Sequence, residues 1–141
     1  MVGLIDAESA CAEWTFPAEP NAVRAARHGV RDTLRAWRLA PVIGDVAVLL
    51  VGELVTNSLR YASGPIGVRM TLIPARPAGR SRPGPLVEVS DPLPDPPTER
   101  TAGPDDEGGR GLQLIACTAV RWGTRRGKTG KTVWFELPLP G

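Results

Sequence analysis

The chain has 141 residues, enough for one domain with a real hydrophobic core. Hydrophobic residues make up 42% and charged residues 23%, an ordinary balance for a soluble globular protein. A net charge of +2 is too small to argue for nucleic acid as a partner.

Residues 1–12 carry no strong pattern and are expected to form a flexible segment ahead of a single domain over 13–141. Trp14 and Phe16 alternate with Glu13 and Thr15, which predicts a short strand ending at Pro17. Asn21, just after Pro20, is placed as the N-cap of a helix that runs to about Arg38. Val23, Val30, Leu34 and Trp37 make its apolar face. Arg24, Arg27, Arg31, Arg35 and Arg38 recur at steps of three and four and form one basic face. That face reads as solvated surface or as a docking surface for an acidic partner. His28, the only histidine, lies beside it.

Pro41 breaks the chain, and a second helix is predicted from about Val42 to Ala62, ended by Ser63-Gly64-Pro65. Val46, Leu49, Leu50 and Leu54 follow the spacing of one buried face. Gly67–Ile73 and Leu86–Ser90 read as strands joined by a flexible, basic connection over Pro74–Pro85. A proline-rich stretch without periodicity follows, read as a mobile lid over 92–108. A third helix is predicted from near Gly109, with Leu112, Ile115 and Ala119 on one face. Val120–Arg126 and Thr132–Leu137 close the chain as two strands. This order predicts a two-layer α/β sandwich: a mixed, mostly antiparallel sheet covered on one face by three helices.

Cys11 and Cys117 lie far apart in sequence and lack metal-ligand spacing. Cys117 is expected as a small core residue. The N-terminal residues lack a basic region followed by a long apolar run, so no signal peptide is expected. The apolar run Val46–Val51 is too short to span a bilayer, and a cytoplasmic location without membrane contact is expected.

Four features carry candidate chemistry. Glu53 and Asn57 are four apart, so on a helix they point the same way beside the apolar stripe. Asp91 follows the strand LVEVS, where a carboxylate can reach into a pocket. Gly109-Arg110-Gly111-Leu112 opens a helix; glycines there let backbone N–H groups approach an anion, and Arg110 adds a guanidinium. Gly130-Lys131-Thr132 opens the last strand. A phosphate-binding loop is excluded at GKTGKT, because a strand and not a helix follows it.

As an ordered set from about Trp14 to Leu137, these boxes resemble the GHKL (Bergerat-fold) ATP-binding proteins. The likeness is strongest to the small anti-sigma-factor serine/threonine kinases and their single-domain histidine-kinase-like relatives. The boxes are Glu53-Leu-Val-Thr-Asn57-Ser-Leu-Arg-Tyr61-Ala62, Asp91, Gly109-Arg110-Gly111-Leu112 and Thr132 within GKTVWFEL. Tyr61 stands where the first box often has His, and Pro92-Leu93-Pro94-Asp95 replaces the glycines that usually follow the aspartate.

The resemblance implies roles. Glu53 would be the general base, and Asn57 would coordinate Mg2+. Asp91 would bind the adenine amino group, supported by Thr132. Gly109, Arg110, Gly111 and Leu112 would form the phosphate side of an ATP site. It implies a kinase that regulates transcription by partner switching, with a sigma factor or an anti-sigma antagonist as partner, no direct nucleic-acid contact, and homodimerisation as a family habit. The alternative is a non-catalytic module of the same fold with weak or lost ATP binding.

Overall fold

The computed structural model describes residues 10–61, 64–72, 83–92, 107–128 and 130–138, with the side chains of 61, 83 and 107–112 outside that description. Its elements follow the predicted order: β1 (Ala10–Phe16), α1 (Ala22–Ala36), α2 (Pro41–Tyr61), β2 (Ile66–Leu72), β3 (Pro83–Asp91), α3 (Glu107–Thr118), β4 (Arg121–Arg126) and β5 (Lys131–Pro138). The sheet order is β1-β2-β3-β5-β4. All four of its pairings are antiparallel, so the described sheet has no parallel member. The last strand returns between β3 and β4, which places Asp91 and the start of β5 side by side near the middle of the sheet.

The three helices pack on one face. α1 reaches β1, α2 crosses β3 and β5, and α3 reaches β4, with α2 between its two neighbours. The sheet's inner residues alternate as the pleat requires: Val68 and Met70 on β2, Val87 and Val89 on β3, and Val133, Phe135 and Leu137 on β5 are all buried. They meet Ala26, Val30 and Leu34 from α1 and Leu50, Val51, Leu54 and Val55 from α2. Gly29 leaves room for the Trp14 ring, which seats α1 against β1. The outer face carries Arg125 paired to Glu88 at 2.7 Å, with the Trp134 ring lying against Gly123.

Several expectations shift. β1 begins at Ala10, and Ala10, Cys11 and Ala12 pair with Leu72, Thr71 and Met70; residues 1–9 lie outside the described residues. β3 takes in Pro83-Gly84-Pro85, which the sequence reading placed in the connection. Its register slips between Pro83 and Leu86, where prolines are tolerated at a strand's start. α3 starts at Glu107 and so takes in two residues assigned to the lid, while 93–106 lie outside the described residues. Asn21 sits at the α1 N-cap but in helical conformation, and its side chain makes no capping bond.

Two burial expectations are corrected. Leu49 is 47% exposed, whereas Leu50 and Leu54 are buried. Leu49 and Leu54 stand five residues apart, about 140° around a helix of 3.6 residues per turn, so they cannot both face the sheet. The buried stripe of α2 is instead Ile43, Ala47, Leu50, Val51, Leu54 and Val55. Cys117 is exposed. It is two residues from buried Ile115, which puts it on the opposite side of α3. The stretch Pro41–Arg60 has a mean hydropathy of 1.6 over a length that could cross a membrane, but half of that window is buried inside this protein.

Candidate functional site

Ser58, one residue beyond Asn57, falls on the stripe that α2 presents to the sheet. A hydroxyl there needs a partner. It finds one in Asp91 at the end of β3: Ser58 Oγ donates to Asp91 Oδ2 at 2.8 Å. Both side chains are buried, at 5% and 6% exposure. The other carboxylate oxygen, Asp91 Oδ1, is buried and has no hydrogen-bond partner among the described residues. Asn57 Oδ1 is in the same condition. Two buried acceptors without donors, on neighbouring elements, are costly for a closed protein and natural for a ligand site.

Glu53 lies one turn before Asn57 on α2 and is half-buried. The second helix therefore carries Glu53, Asn57 and Ser58, and the Ser58–Asp91 bond brings Asp91 to them. Among the described residues no group of three or more His, Cys, Asp or Glu side chains could hold a metal. A cation here would depend on the Asn57 amide oxygen, waters and a ligand's phosphates, which is the habit of Mg2+.

The closing strand sets its hydroxyl against β3. Thr132 is the register partner of Ser90, and the two hydroxyls are 2.7 Å apart. Cross-strand partners share a face and successive residues alternate, so Thr132 lies on the opposite face from Asp91. The β5 residue that shares the Asp91 face is its own register partner, Lys131. The motif was legible, but the period-2 parity of the two strands was needed to choose between Lys131 and Thr132.

Gly130 explains how the β4–β5 turn comes so close. A Cβ at Gly130 would stand 2.1 Å from the Asp91 carbonyl oxygen, so only glycine permits this approach. A cleft of about 580 Å³ lies at this end of the sheet, lined by Thr15, Gly67, Ser90, Thr132 and Arg125 from one cross-strand row on the outer face, together with Asp91, Pro92 and Lys131. Gly109, Arg110, Gly111 and Leu112 fall in the first turns of α3, which packs beside α2. The side chains of Arg110 and Leu112 lie outside the described residues.

Ser58 is the site residue that sequence reasoning missed. The signal was present: a lone hydroxyl four residues after Leu54, in register with the buried stripe.

Residues 16–137 match the histidine kinase-like ATPase domain family. The match spans most of the chain, and the protein belongs to that family. It is a GHKL-type ATP-binding protein, and its antiparallel sheet with three helices on one face is the fold expected of one. No curated protein matches the chain in sequence. Family membership makes ATP the expected ligand, and the unpartnered Asp91 Oδ1 suits it: an exocyclic amine is a donor, and this buried oxygen lacks one.

Proposed function

We propose that this protein is an ATP- and Mg2+-dependent serine/threonine protein kinase of the anti-sigma type, acting in the cytoplasm by partner switching to control transcription. The observation that carries the reading is the pair of buried, unpartnered acceptors: Asp91 Oδ1, on the carboxylate held by Ser58, and Asn57 Oδ1, one turn from Glu53.

Each residue then has a task. Ser58 occupies Oδ2 and so fixes the orientation of the Asp91 carboxylate, leaving Oδ1 as its unpartnered acceptor. Asp91 Oδ1 accepts from the amino group of adenine; guanine presents a carbonyl at that position and would leave two acceptors facing each other. Asn57 offers its amide oxygen to Mg2+, which would neutralise phosphate charge. Glu53 takes the proton of a protein hydroxyl as that oxygen bonds to the γ-phosphorus and ADP departs. The first turns of α3, with Gly109 and Gly111, offer backbone N–H groups to the phosphates. The partner would be a sigma factor or its antagonist, with a second copy of the chain as a further partner, and neither nucleic acid nor membrane is required.

A non-catalytic binding module is the second reading. It is favoured by Pro92, which follows Asp91 directly and comes so close to Gly64 that a Cβ there would stand 2.5 Å from the proline ring. Proline can neither donate a hydrogen bond nor take positive φ beside the nucleobase.

Transfer of labelled phosphate from ATP to a co-purified partner decides between the two. The kinase reading expects transfer by the wild type and none by Glu53→Gln. Partner binding without transfer in either protein would establish the module.

A further inference from the structure

We propose that the groove between α1 and α2, on the side of α2 away from α3, docks an acidic amphipathic helix of a partner protein. The groove has a volume of about 650 Å³. Its α1 wall carries Arg24, Arg27 and Arg31; its α2 wall carries Asp45, Val48 and Leu49. Three arginines face one carboxylate, so the groove is basic.

The arginines are spaced by three and four residues and follow one side of α1 for about 10 Å. None of them forms an ion pair with a described residue. Arg27 is seated against α2 itself: a Cβ at Gly52 would stand 2.5 Å from its Nε. Glycine at that position lets the guanidinium lie on the helix backbone, which joins the two walls into one surface.

A solvated basic face needs neither a concave floor nor exposed apolar side chains. This face has both. Leu49, which lines the groove, is 47% exposed, and Val42, beyond the groove's lining on the same helix, is 58% exposed. They are seven apart on α2, two turns along the same side, with half-buried Val46 between them. The apolar ridge therefore runs alongside the arginine row. A helix with leucine-like side chains on one stripe and carboxylates on its flank would cover the ridge and pair with the arginines together. A phosphate backbone would satisfy the arginines and leave Val42 and Leu49 uncovered, so a protein helix fits better than RNA. A second copy of the chain does not supply it: α1 has only Asp32, α2 only Asp45 and Glu53, and α3 only Glu107.

The ridge also leads to the site. Glu53 is one turn beyond Leu49 on the same side of α2, about 6 Å along the axis. On the kinase reading, a helix docked over Val42 and Leu49 would bring the residues that follow it to Glu53; this consequence rests on that reading, and the docking itself does not.

The test uses the full chain and a labelled helix-forming peptide of about 18 residues with a leucine stripe flanked by glutamates, roughly five turns long. Its counterpart carries lysine at each glutamate, and a single-stranded RNA oligomer serves as a third probe. Fluorescence anisotropy without nucleotide should show the glutamate peptide bound at least about tenfold more tightly than the lysine peptide. The double variant Arg24→Glu/Arg31→Glu should reverse that preference. Separately, Leu49→Asp should weaken the glutamate peptide by about tenfold. Both variants should keep whatever ATP-induced melting shift the wild type has. Equal binding of the two peptides, indifference to both variants, or tighter binding of RNA would overturn the proposal. A missing ATP shift in the wild type would instead strike the nucleotide reading alone.

Discussion

Ser58 on α2 donates a 2.8 Å hydrogen bond to Asp91 at the end of β3, and it engages only one of the two carboxylate oxygens. The bond joins the helical layer to the sheet at the candidate nucleotide site. It also leaves the carboxylate half-satisfied in a buried position, which a closed structural contact would not do.

Ser58→Ala should therefore affect both fold and ligand. Without the hydroxyl, both Asp91 oxygens are buried without a donor among the described residues, at a cost of about 1–3 kcal/mol. Urea unfolding should report that loss, and the melting shift given by ATP with Mg2+ should shrink. Ser58→Thr, which keeps the hydroxyl, should recover part of the shift. An unchanged shift in Ser58→Ala would show that the bond does not orient Asp91.

Asn57→Ala separates ligand binding from stability in the other direction. The amide oxygen has no partner to lose, so removing it should leave the midpoint of unfolding within about 1 kcal/mol of wild type or raise it. The ATP- and Mg2+-dependent melting shift should disappear. A large destabilisation would mean that Asn57 is a structural residue.

Gly130→Ala tests the close approach of the β4–β5 turn to Asp91. The added Cβ would meet the Asp91 carbonyl at 2.1 Å, and backbone cannot yield as a flexible side chain can. A destabilisation of about 1–3 kcal/mol is expected, with the ATP shift reduced because Asp91 must move. Normal stability with a normal shift would show that the turn sits elsewhere.

Leu49 and Leu50 are adjacent in sequence but differ fully in environment, at 47% and 0% exposure. Leu50→Ala should cost about 2–5 kcal/mol, because a buried leucine loses both its transfer energy and its packing. Leu49→Ala should stay within about 0.5 kcal/mol of wild type in thermal or urea unfolding. Similar losses for both would mean that the rotation of α2 is wrong.

Much of the architecture was legible because it rests on local rules. The Trp14/Phe16 alternation, the helical period of α1 and the Gly130-Lys131-Thr132 opening of β5 each marked an element that the structure contains. The strand parity was not legible. Choosing between Lys131 and Thr132 as the neighbour of Asp91 needs the register of β3 against β5, and register is a property of the assembled sheet. The rotation of α2 failed for a related reason: a helix flanked by two others has a wide apolar arc, so leucines outside the buried stripe still look periodic. Within the site, Glu53, Asn57 and Asp91 stood out as polar groups in apolar surroundings. Ser58 did not, because a serine in a helix is ordinary until the structure shows what it touches.

Isothermal titration of the full chain with ATP in the presence of Mg2+, with GTP as the comparison, reaches the central claim most directly. Saturable heat with ATP, little or none with GTP, and loss of the ATP signal in Asp91→Asn are the expected results. No heat at millimolar ATP, or equal binding of GTP, would contradict the assignment of Asp91 Oδ1 to an adenine amino group.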